Sequence, residues 1–265
     1  MTSGPVGAVN FRPFDTWTFS RAEARTRSFP AQVAAAPCGA GKPATVIAWI
    51  WSRTVECPNP ACAKEIPLAN SFSVSKHKAR EAHVLPVTTG SKVTYQIEHT
   101  AQPTTAPSVT RSGARCIACG TAIPLPYVRQ QGKHGHLGRH LMAVVAEGAR
   151  QRVYLAPDAA QAEAAEVERP LAAVPDALLA KNPRAITAPN YGIDSHDKLY
   201  THRQQHLLTT LVELIGEARQ RCLRDGASEE RADAISVYLT LWLGRVANRH
   251  VASGKMFRRA LIDEA

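Results

Sequence analysis

The chain has 265 residues, 45% of them hydrophobic, enough to bury a real core as one or two domains. No apolar run reaches the roughly 18 residues of a membrane span, and no basic stretch leads into an apolar one at the N-terminus, so a cytoplasmic protein without a membrane partner is predicted. A formal net charge of +10 favours acidic partners, nucleic acid first, because neutralising phosphates releases counterions.

Residues 1–43 are rich in Ala, Pro, Arg and Ser without helical or strand periodicity, and are predicted to form a disordered lead-in. "CGAGKP" at 38–43 is not a phosphate-binding loop, since Ala36 and Pro43 stand where that motif needs Gly and Ser or Thr. "ATVIAWIWSRTVEC" (44–57) reads as a buried strand, β-branched and aromatic on both faces. "KVTYQIE" (92–98) alternates Val93, Tyr95 and Ile97 as a half-buried strand does. A hairpin is expected from Leu141–Ala146 and Arg152–Leu155, so 44–157 is predicted to be mainly β.

The character then changes. Residues 158–200 read as a connector with short helical segments broken at Pro170 and Pro175. From 201 to 265 a helical hairpin is predicted. Thr201 and Gln204 form a capping box, Leu207, Leu211, Leu214, Ile215 and Ala218 line one face, and Gly226 ends the first helix. Ser228 caps the second, whose expected core stripe is Ile235, Leu239, Trp242 and Val246. The fold class is therefore α+β, a zinc-ribbon-like β region followed by a helical pair.

Six cysteines are too few for a disulfide scaffold in a reducing compartment, where paired spacing points to metal. Cys38 stands alone in a loop, and Cys222 continues a helical apolar stripe. Cys57 and Cys62 are spaced C-x4-C, Cys116 and Cys119 C-x2-C, and in both cases Ile-Pro-Leu begins four residues after the second Cys. Each short turn can offer two thiolates to one tetrahedral zinc, and the 53 residues between Cys62 and Cys116 form an excursion between the halves. After each turn a β-branched residue enters the core and Pro-Leu sets an extended exit. Gly120 fills the position after the second pair, where the first has Ala63. Four protein ligands leave no open position, so the expected zinc is structural. The alternatives are four reduced thiols without metal, or redox work by Cys116 and Cys119.

Basic residues concentrate beside the second pair. Arg111, Arg115, Arg129, Lys133, Arg139, Arg150 and Arg152 face one acid, Glu147, between 111 and 153. "RQQGKHGHLGRH" (129–140) reads as a flexible loop for phosphates, with Arg111, Arg115, Arg129, Lys133 and Arg139 as candidate nucleic-acid contacts. A solvated loop and a His134/His136/His140 metal site are the competing readings there, and "SVSKHKARE" (73–81) is a second, smaller basic cluster.

Four segments taken together resemble a known family: 44–78, "CIACGTAIPLPYVRQQGKHGHLGRHLMAVV", "YGIDSHDKLYTHRQQHLLTTLVELIGEAR" and "AISVYLTLWLGRVANRH". They are similar, over about 44–262, to the middle of the zinc-ribbon-containing, adenine-specific DNA methylases that carry an N-terminal domain of unknown function. The resemblance implies DNA as partner and a setting in restriction or anti-phage defence. The family uses S-adenosylmethionine through a D-P-F-x-G-x-G loop and a D-P-P-Y tetrad that holds the flipped adenine. Neither motif occurs here, and "APNY" (188–191) lacks the acid and the double proline. The expectation is thus no catalytic residue and no S-adenosylmethionine site. The chain would be a truncated or split methylase that works, if at all, with its missing parts or neighbouring defence proteins. The alternative is a zinc-stabilised interaction module that binds no DNA.

Overall fold

The computed structural model describes residues 43–78, 80–147, 152–163, 166–172, 174–180 and 186–249, together with two short strands at 32–34 and 261–264. The expected disordered lead-in, with Cys38, otherwise lies outside the described residues. The architecture is α+β, with three antiparallel sheets followed by a helical pair.

The largest sheet is organised on β2 (Pro43–Glu56), a 14-residue strand. Strand β1 (Gln32–Ala34) covers the start of one of its edges, β3 (Glu65–Pro67) the end, and β12 (Leu261–Glu264) lies against residues 48–51. A second sheet orders β4 (Ser73–Ser75), β5 (Ala82–Thr89) and β6 (Lys92–Glu98), and a third β7 (Val109–Thr110), β8 (Gly113–Arg115) and β9 (Ala122–Pro124). Strand β10 (Gly138–Glu147) pairs with β2 and continues to β11 (Arg152–Leu155), the expected hairpin.

β2 is apolar on both faces because both faces are covered. Ala48 and Ile50 join Met142, Ala143 and Val145 of β10 against Phe72, just before β4, and Val84, Val93 and Tyr95 of the second sheet. Trp49, Trp51 and Val46 lie in a separate cluster with Leu141, Val144 and Leu155. Two register shifts, leaving Met142 and Ile47 as extra residues, exchange the faces along the ladder. Strand β5 was not foreseen: Pro86 argues against a strand, yet the Gly90-Ser91 turn to β6 is a hairpin signal, with Gly90 at φ 57°.

Helix α1 (Leu125–Lys133) replaces the flexible loop expected to begin at Arg129. Pro124 is its N-cap and Pro126 lies in its first turn, where a missing N–H costs nothing. Gly132 is required by packing: a Cβ there would stand 2.5 Å from the Tyr191 carbonyl oxygen. The turn Ala188–Tyr191 thereby sits directly on α1, with Tyr191 buried, so "APNY" is a structural clamp.

Between the sheets and the helical pair, the first of the expected short helical segments forms upstream of Pro170 as α2 (Ala159–Glu163), whereas among the described residues none forms between Pro170 and Lys181. Helix α3 (His202–Arg224) opens with the predicted capping box, Thr201 accepting from the Gln204 N–H and Gln204 accepting from the Thr201 N–H. It closes with Gly226 at φ 86°, where Gly226 N–H donates to Leu223 O and Ala227 N–H to Cys222 O. Leu211, Leu214, Ala218 and Cys222 are its buried face. Helix α4 (Glu229–Arg249) packs back on it, with Arg231 N–H donating to the Ser228 hydroxyl. Trp242 departs from the expected core stripe, being 45% exposed. No helix among the described residues is long and apolar enough to cross a membrane.

Candidate metal centre

Two hairpins of the same plan converge on one point. In the first, β2 and β3 pair Glu56 with Glu65 and Val55 with Ile66; in the second, β8 and β9 pair Arg115 with Ala122 and Ala114 with Ile123. Cys57 N–H donates to Lys64 O across the first tip, and Cys116 N–H to Thr121 O across the second, both at 2.9 Å. Each tip needs one left-handed residue after its second cysteine. Gly120 takes φ 76° without penalty, and Ala63 takes φ 44°, a region L-residues with a Cβ avoid. Ile66 and Ile123 are both buried under the tips, in one cluster with Val55, Leu68, Ala114 and Val128. The paired Ile-Pro-Leu phrases thus do the same work up to proline. After it, Leu68 leaves the strand and is buried, whereas Leu125 starts α1.

The four sulfurs of Cys57, Cys62, Cys116 and Cys119 lie within 4.8 Å of one another. Cys57 Sγ is 3.7 Å from Cys119 Sγ, and Cys62 Sγ is 3.8 Å from Cys116 Sγ. A tetrahedron of sulfurs about 2.3 Å from a central ion has edges of about 3.8 Å, whereas a disulfide would need about 2.05 Å. The donor set therefore fits a metal ion, and the pairing is across the hairpins, one sulfur from each tip. Among the described residues this is the one cluster of three or more such ligands.

The surroundings split the thiols. Burial pushes Cys57 up to about 12 and raises Cys116, because a thiolate in an apolar pocket lacks solvation. Cys119 is exposed and drawn down to about 6, chiefly by hydrogen bonds from the Thr121 hydroxyl and N–H. Asn59 braces the same corner: its Oδ1 accepts from Ala61 N–H at 3.0 Å, and its Nδ2 reaches Thr121 Oγ1 at 3.4 Å. A bound cation compensates the two buried thiolates that burial alone disfavours. Asn59 and Thr121 were not singled out in the sequence; an Asn two residues after a Cys, able to form an Asx turn, was the available signal.

The five basic candidates divide. Arg111 precedes β8 and Arg115 ends it, both exposed, Arg115 Nη1 donating to Gly120 O at 3.3 Å, and Lys133 is exposed at the end of α1. Arg129 lies over the Tyr191 ring at 5.8 Å, with its Nε buried, and Arg139 is held by Glu166 at 2.6 Å and stacks on Trp51 at 5.7 Å. Of the three histidines, His134 and His136 meet ring to ring, and His140 is engaged elsewhere. Its Nδ1 bonds Tyr95 Oη at 2.9 Å and its Nε2 faces Glu65 at 3.4 Å, while Thr54 also bonds Glu65. This chain of polar contacts ties the first Cys hairpin to the second sheet, joining residues too far apart along the chain for any local pattern to signal it.

Comparison of the chain with protein-family models, with curated proteins and with solved structures found no match to any of them.

Proposed function

We propose that this chain is a zinc-ribbon region that contacts DNA as an accessory part of an adenine-N6 methyltransferase-like system. The observation that carries the reading is the four-sulfur cage set beside 36 residues, 111–146, with five Lys or Arg and no acid. Zinc fits the all-thiolate set, and Cys57, Cys62, Cys116 and Cys119 would hold it. When bound, the ion supplies cross-linking of two hairpins whose strands are three or fewer residues long in β3, β8 and β9. With four protein ligands it has no open position, so its role is to hold Arg111 and Arg115 in fixed relation to the tips.

Exposed Arg111, Arg115 and Lys133 are the phosphate-contacting residues in this reading; Arg129 and Arg139 support the fold around them. The methylase context rests on the resemblance of the four segments quoted above. Without the cofactor loop and the D-P-P-Y tetrad, methyl transfer belongs to another chain, a split methylase subunit or a neighbouring defence protein, and this chain contributes DNA contact.

Duplex binding measured by anisotropy at increasing salt tests this. Affinity is expected to fall linearly on logarithmic axes, and Arg111→Ala with Arg115→Ala and Lys133→Ala to reduce the slope by about 2 to 3. Binding that is absent at low salt, or indifferent to salt and to the triple substitution, would overturn the DNA reading and favour a zinc-stabilised interaction module.

A further inference from the structure

The four sulfurs of the cage differ in their access to solvent. Cys57 and Cys116 are each 2% exposed and Cys62 is half-buried, whereas Cys119 is exposed. Polar side chains also gather at that corner, with Thr121 Oγ1 at 3.2 Å and Asn59 Nδ2 at 4.0 Å from Cys119 Sγ. Zinc binding holds all four thiols as thiolates, so thiolate character does not separate them and exposure does. The cage has one corner open to reagents from solution.

The sulfur that faces this corner belongs to the other hairpin. Cys57 Sγ lies 3.7 Å from Cys119 Sγ, and closing that gap to the roughly 2.05 Å of a disulfide asks for a shift of about 1.7 Å. The tips are carried on β3, β8 and β9, strands of three residues each, which can give by that much once no ion fixes them. Burial shields Cys57 from a reagent in solution but not from an oxidised Cys119.

We propose that Cys119 is a site of oxidation by hydroperoxides and that Cys57 resolves it, so that the junction exchanges its metal cross-link for a disulfide between the same two hairpins. The inference rests on the metal reading given above. The Cys119 sulfur attacks the terminal oxygen of the peroxide, the O–O bond breaks, and the leaving oxygen takes a proton and departs as water or an alcohol. Cys119 is then a sulfenic acid, oxidised by the two electrons that reduce the peroxide. The Cys57 thiolate attacks that sulfur, the S–O bond breaks, hydroxide takes a proton to become water, and the S–S bond forms. Two thiolates, one peroxide and two protons thus give one disulfide. Cys62 and Cys116 alone no longer make a four-ligand site, so the ion is released. The new bond joins β2–β3 to β8–β9 and keeps the tips together without metal. A bond between Cys116 and Cys119 would lie within one hairpin and tie nothing to the other.

The test uses the zinc-loaded full chain carrying Cys38→Ser, which removes a thiol outside the described residues, treated with about one equivalent of hydrogen peroxide. A chromogenic indicator reads zinc release, and mass spectrometry of alkylated digests reads the disulfide. About one zinc released per Cys57–Cys119 bond formed is expected. Near-ultraviolet circular dichroism should be retained in the oxidised, metal-free chain and lost in the reduced, chelated one. Cys119→His keeps a fourth ligand without a sulfur at the open corner and should slow release at least about 10-fold. A Cys116–Cys119 bond in place of the cross-hairpin one, sulfenic acid forming first at another of the four cysteines, or release from Cys119→His at the unsubstituted rate would each overturn the proposal. A chain that holds no zinc before peroxide is added would overturn the metal reading and the inference with it, a failure set apart because no oxidant has acted.

Discussion

The two cysteine hairpins make one site from unequal halves. The second has the shorter C-x2-C turn, with Gly120 in the left-handed position and Thr121 supporting an exposed thiol. The first has C-x4-C, an Asx turn at Asn59 and a strained Ala63, and each half carries one buried thiol, Cys57 and Cys116. They share the strand register and the buried isoleucine. What differs teaches that the metal geometry constrains where the sulfurs arrive and the residue under each tip, while the turn that delivers them can be built in two ways.

Removing a buried sulfur should erase the comparison altogether. Cys57→Ala or Cys116→Ala is expected to abolish metal retention and unfold both hairpins, since structural zinc in small sites carries about 10–16 kcal/mol of apparent binding energy. Metal stoichiometry with near-ultraviolet circular dichroism reads the effect, and chelation of the intact chain should reproduce it.

Next in size is the position two residues before Arg115. Gly113 occupies the place that Thr54 holds in the first hairpin, and a Cβ there would stand 2.1 Å from Ile123 O and 2.8 Å from Leu125 N, both backbone atoms. Gly113→Ala should therefore cost about 3 kcal/mol or more, while Thr54→Ala, losing a hydroxyl bonded to Glu65, should cost about 1 kcal/mol in urea denaturation. Equal costs would mean that the halves are less distinct than their strand registers indicate.

The turns themselves predict opposite signs. Ala63→Gly relieves a left-handed alanine and should stabilise the protein by up to about 1 kcal/mol, whereas Gly120→Ala should destabilise it by about 1 kcal/mol. Thermal melting of the two variants side by side decides this.

The smallest effect concerns the contact found only in the first hairpin. His140 holds the Glu65 carboxyl below the usual carboxylate range, ahead of an opposing effect of burial. A depressed carboxyl contributes stability above its unfolded value, about pH 4.3, and loses it as pH falls through the folded value. Glu65→Gln should therefore flatten the acid limb of the stability profile while leaving metal content unchanged; an unaltered acid limb would remove this contact from the account.

Much of this was legible in the sequence because local physics decided it. Cysteine spacing singled out the four thiols that the fold brings together, the alternation of Val93 and Tyr95 placed β6 at its observed bounds, and the Thr201–Gln204 and Gly226 signals delimited α3. What escaped notice depended on partners distant in the chain. Residues 129–133 resemble part of a loop because Gly132 and Gly135 sit nearby, yet Gly132 is there to admit the Tyr191 backbone. Trp242 fits an apolar stripe as well as Leu239 does, and only the direction in which α3 lies separates the buried stripe from the exposed one. Arg129 and Arg139 look like surface cations until Tyr191, Trp51 and Glu166 are brought beside them.

The central claim, that two unequal hairpins close one four-thiolate centre, is tested most directly by metal analysis of the purified chain with cobalt replacement. One ion per chain and the visible spectrum of a tetrahedral all-sulfur cobalt centre, lost in Cys57→Ala and Cys119→Ala alike, are predicted. A folded chain that retains no metal and presents four freely titratable thiols from these cysteines would contradict it.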